Sequence, residues 1–511
     1  MYHTSFIMNK LYMAVDIGTS FIKNGVYDLQ GNCLASYSEP VKLDSSMPGV
    51  IIQHGEEIYE SVCNLLKKTA TELKDKANNI AAISFTGQMA GSIGVDENWN
   101  DITSWTFTLD PRYLPYSNKL LEKFGDKMYR ISGTLAPIMC AKYVWFKNEF
   151  PDLHSKIKKY VLLNGYIIGK LSHIPIEEAR IDYSLLTWTG LGDIANRKWS
   201  KELCDEMGVD MDLLPIVCDC RTIGGYLAKD VAEKLGLPQG IPLVLGAGDK
   251  VAGCVGASVL DDGEMIFEAA SYGAISIKTK QSNLDLQEKT YDILADMSGE
   301  GYYVHKYILG SGIGLDWFVN SFFAKEESPM LAAEQAAKDI GVGSDGLLAS
   351  GLFGHSSIPF NTDITGGFIG ATLSHNIGHF YHSLLESYTY DLAVTLQNFN
   401  LQYPDYNNKD VLLIGGGAKS KIWPQMLADV TGYTFKTLNR EDVALLGAAI
   451  LGANAIDPTI NVKELSSSFI SIDKTYTPNM QNFEKYQKYI SLYKELINTI
   501  SPICKKLDDI K

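Results

Sequence analysis

Apolar residues alternate with polar ones near the start of this chain, then switch to a helical period. Residues 13–17 read as a strand, 21–27 alternate as a second, 28–32 form a polar turn and 33–39 read as a third strand. From 57 to 74, Ile58, Val62, Leu65, Leu66 and Leu73 recur on one face of a helix. Residues 81–85 then form a short buried strand, so the opening segment has the strand and helix succession of an α/β layer. A similar succession returns later. Residues 264–269 and 274–278 are strand-like, and helical patterning covers 381–398. An apolar strand lies at 411–414, and a helix at 421–430. The two halves share an order of elements but hardly any literal sequence. A duplicated α/β architecture is expected, with a hinge near 255–262. A last helix around 483–497 carries Phe483, Tyr486, Tyr489, Ile490, Tyr493, Leu496 and Ile497 at three- and four-residue spacing, as a helix packing on the body would.

Composition narrows the class. At 511 residues the chain is too long for one ordinary core, and 46% hydrophobic with 21% charged residues is globular composition. A net charge of −15 argues against nucleic acid or an anionic membrane as partner. No run of 18 apolar residues predicts a membrane span, and the first ten residues lack a signal pattern. The eight cysteines are scattered; only Cys218 and Cys220 are close, with no partner at zinc spacing. Reduced cysteines in a cytoplasmic protein are the default expectation.

Three glycine-bearing turns carry the chemistry. Asp16-Ile17-Gly18-Thr19-Ser20, Gly246-Ala247-Gly248-Asp249 and Gly415-Gly416-Gly417-Ala418 each follow an apolar strand-like stretch. Such turns expose backbone N–H groups to phosphate oxygens. In the first, Gly18, Thr19 and Ser20 suit phosphate and Asp16 suits a magnesium ion; the competing reading is an aspartate capping its own turn. Asp249 reads either as a helix N-cap or as a general base for a substrate hydroxyl attacking a γ-phosphate. The triple glycine reads as close approach to a flat or charged ligand, or as a tight helix entry. Neither a Walker A loop nor a dinucleotide fingerprint occurs. Three turns in this order point to phosphoryl transfer.

These runs resemble the FGGY carbohydrate kinases, xylulokinase-like members of the actin/hexokinase-like superfamily. AVDIGTSFIKNGVYD resembles the first phosphate motif, SFTGQMAG a sugar loop, GAGDKVAGCVGA the catalytic-aspartate segment, LLIGGGAKSKIWPQMLADVTG the adenosine motif and EDVALLGAAILGA the last helix. The resemblance implies two duplicated α/β, ribonuclease H-like domains with a cleft between them: 9–257 for sugar and phosphate, 258–457 for adenosine, and a helical extension over 458–511. It implies an ATP- and Mg2+-dependent kinase of a small sugar or polyol, ketopentose-like, with Asp249 as base. Gly18, Thr19, Ser20, Ser271, Gly312, Gly416, Gly417 and Lys421 would meet ATP. Gln88, Met89, Ala90, Asp110, Arg112 and Lys250 would meet substrate, and Asp16 the metal. The active site would lie between the halves, closing about a hinge. Oligomeric state stays open, a homodimer among the options.

Four positions depart from the pattern. The second phosphate motif, Gly-Thr in the family, reads Ala270-Ser271-Tyr272-Gly273 with its register open. Ala90 stands where xylulokinases have histidine, Val50 where a tryptophan follows Pro48-Gly49, and Gly354-His355-Ser356 where Gly-Glu-Arg is expected. A catalytically weak sugar or nucleotide sensor, and a filament or chaperone ATPase on the same fold, are the competing functions.

Overall fold

The computed structural model describes residues 10–47, 49–270, 272–308, 310–351 and 364–510. Ser271, Pro48, Gly354, His355 and Ser356 therefore lie outside the described residues.

Two large sheets organise the chain. The first has six strands in the order Ile223–Tyr226, Pro242–Val244, Ile80–Gly87, Leu11–Ile17, Phe21–Tyr27 and Cys33–Pro40. Leu11–Ile17 runs antiparallel to Phe21–Tyr27 and parallel to Ile80–Gly87. The second has seven strands, Asp292–Ala295, Tyr302–Ile308, Gly273–Thr279, Met265–Glu268, Asp410–Ile414, Thr434–Leu438 and Ile472–Tyr476. Here Met265–Glu268 runs antiparallel to Gly273–Thr279 and parallel to Asp410–Ile414, the same pattern as in the first sheet. The duplicated α/β architecture expected from the element order is what forms.

Local chemistry explains the elements. The helix Gly55–Leu73 buries Ile58, Val62, Leu65, Leu66 and Leu73, the stripe that the period predicts. Each such side chain contributes roughly 1.5–3 kcal/mol on burial. The long helix Ile377–Gln402 starts earlier than its pattern suggests, because Asn376 and His379 form a capping box. The helix expected at 421–430 begins at Trp423, since Ser420 Oγ accepts the N–H groups of Ile422 and Trp423 and fixes its start. After residue 457 come the helix Val462–Phe469, the edge strand Ile472–Tyr476 and the helix Met480–Asp508.

Between Ile80–Gly87 and Pro242–Val244 the chain makes a long excursion. Its strands Trp105–Phe107, Gly91–Val95 and Lys159–Val161 join Ile52–Gln53, from before Ile80, in a small four-stranded sheet, and it adds the helices Leu114–Ser132, Ile138–Glu149 and Leu163–Ser172.

The halves meet in two places. The helices Asp249–Gly256 and Val443–Ile456 cross backbone to backbone, for a Cβ on Gly256 would overlap the Val443 carbonyl and one on Gly447 the Ala252 carbonyl. Val443–Ile456 also packs on the first sheet, although in sequence it lies between two strands of the second, Thr434–Leu438 and Ile472–Tyr476. Elsewhere the excursion reaches the edge strand Asp292–Ala295. Thr187 Oγ1 donates to Ile293 O at 2.8 Å, and Trp188 Nε1 to Asp292 Oδ2 at 2.9 Å.

Candidate active site

A small, partly open cavity of about 90 Å³ lies where the sheets face each other, lined by Asp16, Asp249, Lys250, Glu268, Ile414 and Val443 among others. Each arrives for a local reason. Asp16 is the penultimate residue of Leu11–Ile17, Asp249 opens the helix Asp249–Gly256, and Ile414 ends the strand before the triple glycine. Glu268 ends its own strand and carries no sequence signal.

The charges are tightly coupled. Lys250 Nζ lies 2.5 Å from Glu268 Oε2 and 3.8 Å from Asp249 Oδ2. Burial works against the Lys250 ammonium, but Asp249 and Glu268 outweigh it and hold the lysine firmly protonated. Burial raises the Asp249 carboxyl above its ordinary range; Lys250 pulls it down and Glu268 pushes it up again. Asp16 is pushed up to about 7, first by burial and then by the charge of Asp249. Its Oδ1 is enclosed with no hydrogen-bond partner among the described residues.

The first turn is tied from behind. Thr19 O accepts from Gln53 Nε2 at 2.8 Å, and Ser20 O accepts from Val41 N at 2.9 Å. Thr19 is half-buried and Ser20 exposed at the end of this turn. Gly18 closes the turn with its N–H on Phe21 O at 3.1 Å.

Gln88 plays a different part from the one expected. Its amide donates to Gly18 O at 3.2 Å and to Gln53 Oε1 at 3.0 Å, while its oxygen accepts from Trp105 Nε1 at 3.1 Å. Both N–H donors are thus occupied in bracing the first turn. Met89 is buried against Gly248, and Ala90 is half-buried. Asp110 and Arg112 form a bidentate pair at 2.9 and 2.7 Å, with the guanidinium 4.9 Å from the Trp145 ring. Asp110 is fully buried, and neither residue lines the cavity around Asp16.

On the second half, Gly417 donates its N–H to Ala269 O at 2.9 Å, directly after Glu268. A Cβ on Gly416 would meet no protein atom within 4 Å. Lys421 is exposed, its backbone N–H on Glu334 at 3.1 Å. Gly312 sits in the first turn of the helix Ser311–Phe322, and Ser311 Oγ accepts from Gly273 N at 2.8 Å, docking that helix beside the second sheet. All eight cysteines are free, and no helix among the described residues is long and apolar enough to cross a membrane.

Two duplicated sheets with glycine turns converging on a carboxylate-lined cavity define an actin/hexokinase-like phosphotransferase fold. Residues 11–256 match the FGGY family of carbohydrate kinases, N-terminal domain, and residues 276–456 match its C-terminal domain. The chain belongs to this family and is a carbohydrate kinase. It is 26% identical to a xylulose kinase of Bacillus subtilis (strain 168) over 95% of this chain and 96% of that protein. It is also 26% identical to a gluconokinase of the same organism, over 95% of each. The fold is that of a xylulose kinase from Lactobacillus acidophilus, with a TM-score of 0.88, 22% identity, and coverage of 98% of this chain and all of that one.

Proposed function

We propose that this kinase transfers the γ-phosphoryl group of ATP to a hydroxyl of a small sugar or polyol, ketopentose-like, with Asp249 as general base. The observation that carries the reading is the first turn. Its carbonyls are tied back by Gln53 and Val41, and a turn with Thr19 half-buried and Ser20 exposed suits phosphate oxygens. Gly416, Gly417 and Lys421, with Gly312 nearby, would receive the adenosine end, where the open face of Gly416 leaves room for a flat group.

Asp249 suits the role of base because its raised carboxyl is a better proton acceptor near neutral pH than an ordinary aspartate. Asp16 suits a magnesium ion, since a buried, unpartnered carboxylate oxygen gains most from a divalent cation; when bound, the ion would neutralise phosphate charge. Ala90, Met89 and Arg112 are the substrate-facing candidates. The Ala90 methyl offers no hydrogen bond, so D-xylulose is expected to be bettered by another substrate.

The test is sugar-dependent ADP release across pentuloses, pentitols, hexuloses and aldonates, with wild type and Asp249→Asn. The substitution should lower kcat by about 100-fold or more with the circular dichroism spectrum unchanged. Near-normal turnover would remove Asp249 from the mechanism. Nucleotide binding with no sugar-dependent turnover in the wild type would favour a sensor.

A further inference from the structure

The loop that presents Asp249 is held by a buried pair outside every glycine turn. The strand Arg180–Asp182 belongs to the excursion and pairs in parallel with Ile216–Cys218. Asp182 is wholly buried. Its Oδ1 accepts from Ser184 N at 2.9 Å, from the Ser184 hydroxyl, and from the Cys220 thiol at 3.3 Å. A serine hydroxyl has one proton. With that proton given to Asp182, Ser184 Oγ presents a lone pair to Gly248 N–H at 2.8 Å. Gly248 is buried and immediately precedes Asp249 as the cap of its helix.

The rest of the loop is held at its other end. Leu245 N donates to Thr222 O at 3.0 Å, and Asn164 Nδ2 donates to Leu245 O at 3.2 Å. Gly246, at φ +67, lies so close to the Phe85 carbonyl that no side chain fits. Ser184 supplies the side-chain hydrogen bond to the residue directly before the proposed base. Asp182 is an unusual choice for stability alone, because its Oδ2 is enclosed without a partner among the described residues, and burying an unpaired carboxylate oxygen is unfavourable. Burial also pushes its carboxyl up to about 6.

We infer that Asp182 and Ser184 are positioning residues that aim Asp249 at the acceptor hydroxyl. Asp182 sets the direction of the Ser184 proton, Ser184 then fixes the Gly248 amide, and that amide fixes the first turn of the helix carrying the base. The inference rests on the reading of Asp249 as base. It predicts a defect in turnover rather than in binding, since neither side chain lines the cavity.

Ser184→Ala should lower kcat by about 10- to 100-fold, the scale of a misplaced reacting group. The dissociation constants for the best sugar and for a non-hydrolysable ATP analogue should stay within about threefold. Ser184→Thr, which restores the hydroxyl, should recover most of the turnover, and Asp182→Asn, which keeps an acceptor, should fall less than Asp182→Ala. Asp249→Asn is measured alongside. If it is inactive while Ser184→Ala turns over within about twofold of wild type, the positioning role is overturned and the base stands. If Asp249→Asn is active, both fail. Binding constants that weaken in step with kcat would also overturn the inference. Should Ser184→Ala not fold, Asp182→Asn decides: a lowered kcat with unchanged binding supports the role, and an unchanged kcat ends it.

Discussion

The two sheets end in the same construction and finish it differently. In the first, the carbonyl of Ile17 accepts the Gln88 N–H at 3.0 Å, and a Cβ on Gly87 would come within 2.5 Å of it. In the second, the carbonyl of Ala269 accepts the Gly417 N–H at 2.9 Å, and a Cβ on Gly415 would come within 2.6 Å. Counting along the chain from these matched carbonyls aligns Asp16 with Glu268 and Gly18 with Ala270. The differences follow from side chains. Asp16 keeps an unpartnered oxygen, whereas Glu268 is neutralised by Lys250. The residue after Gly87 is Gln88, which braces the first turn; the residue after Gly415 is Gly416, where a side chain would enter open space. A duplicated scaffold has thus become one stiffened end with an unpartnered carboxylate oxygen and one open end.

The sharpest way to break this comparison is to remove the neutralising lysine. Lys250→Met leaves Glu268 and Asp249 facing the cavity without their shared counter-ion. We expect kcat/KM to fall by about tenfold or more, and Glu268→Gln in the same chain to recover part of that loss. A double variant no better than Lys250→Met would show that the pairing with Glu268 is incidental.

A second experiment contrasts the two glycines. The Cβ of Gly416→Ala meets no protein atom within 4 Å, so the thermal midpoint should hold while KM for ATP rises several-fold, roughly 1 kcal/mol of binding. Gly87→Ala sits at φ +149 against the Ile17 backbone and should lower the midpoint instead. If both variants behave alike, the distinction between braced and open ends is wrong.

The smallest effect concerns Asp16. Its carboxyl titrates near 7 in the folded protein against 3.8 for the ordinary group, so the folded state binds the proton more tightly. The stability this contributes is complete below about pH 4 and is lost as pH rises through 7. Discounted for its half-open position, the change is on the order of 1–2 kcal/mol, a few degrees in melting temperature for the ligand-free protein. Asp16→Asn should melt higher than wild type at pH 8, with the difference closing toward pH 5. Parallel melting curves across that range would show that Asp16 is not held in an unfavourable charged state.

Much of the site was legible because its signals are local. A strand followed by a glycine turn marks itself within a few residues, and Asp16 and Asp249 do line one cavity. Gln88 was legible as a position but not as a brace, because its partners Gly18, Gln53 and Trp105 come from separate segments. Glu268 was invisible for the same reason: one glutamate at a strand end means little until Lys250 is found beside it. Asp182 and Ser184 lie in a segment with no glycine signature, 64 residues from the amide that Ser184 holds.

By itself the sequence determined the period of each strand and helix, the order of elements in both halves, and the three glycine turns, since these depend on side chains and backbone freedom within a few residues. It also determined the family, through motifs that stay contiguous along the chain. Only the tertiary structure decided which sheet the helix Val443–Ile456 would cover, which carboxylate Lys250 would neutralise, and which hydroxyl would hold Gly248. Those outcomes depend on pairings between distant segments, whose energies exist only once the two sheets have been brought face to face.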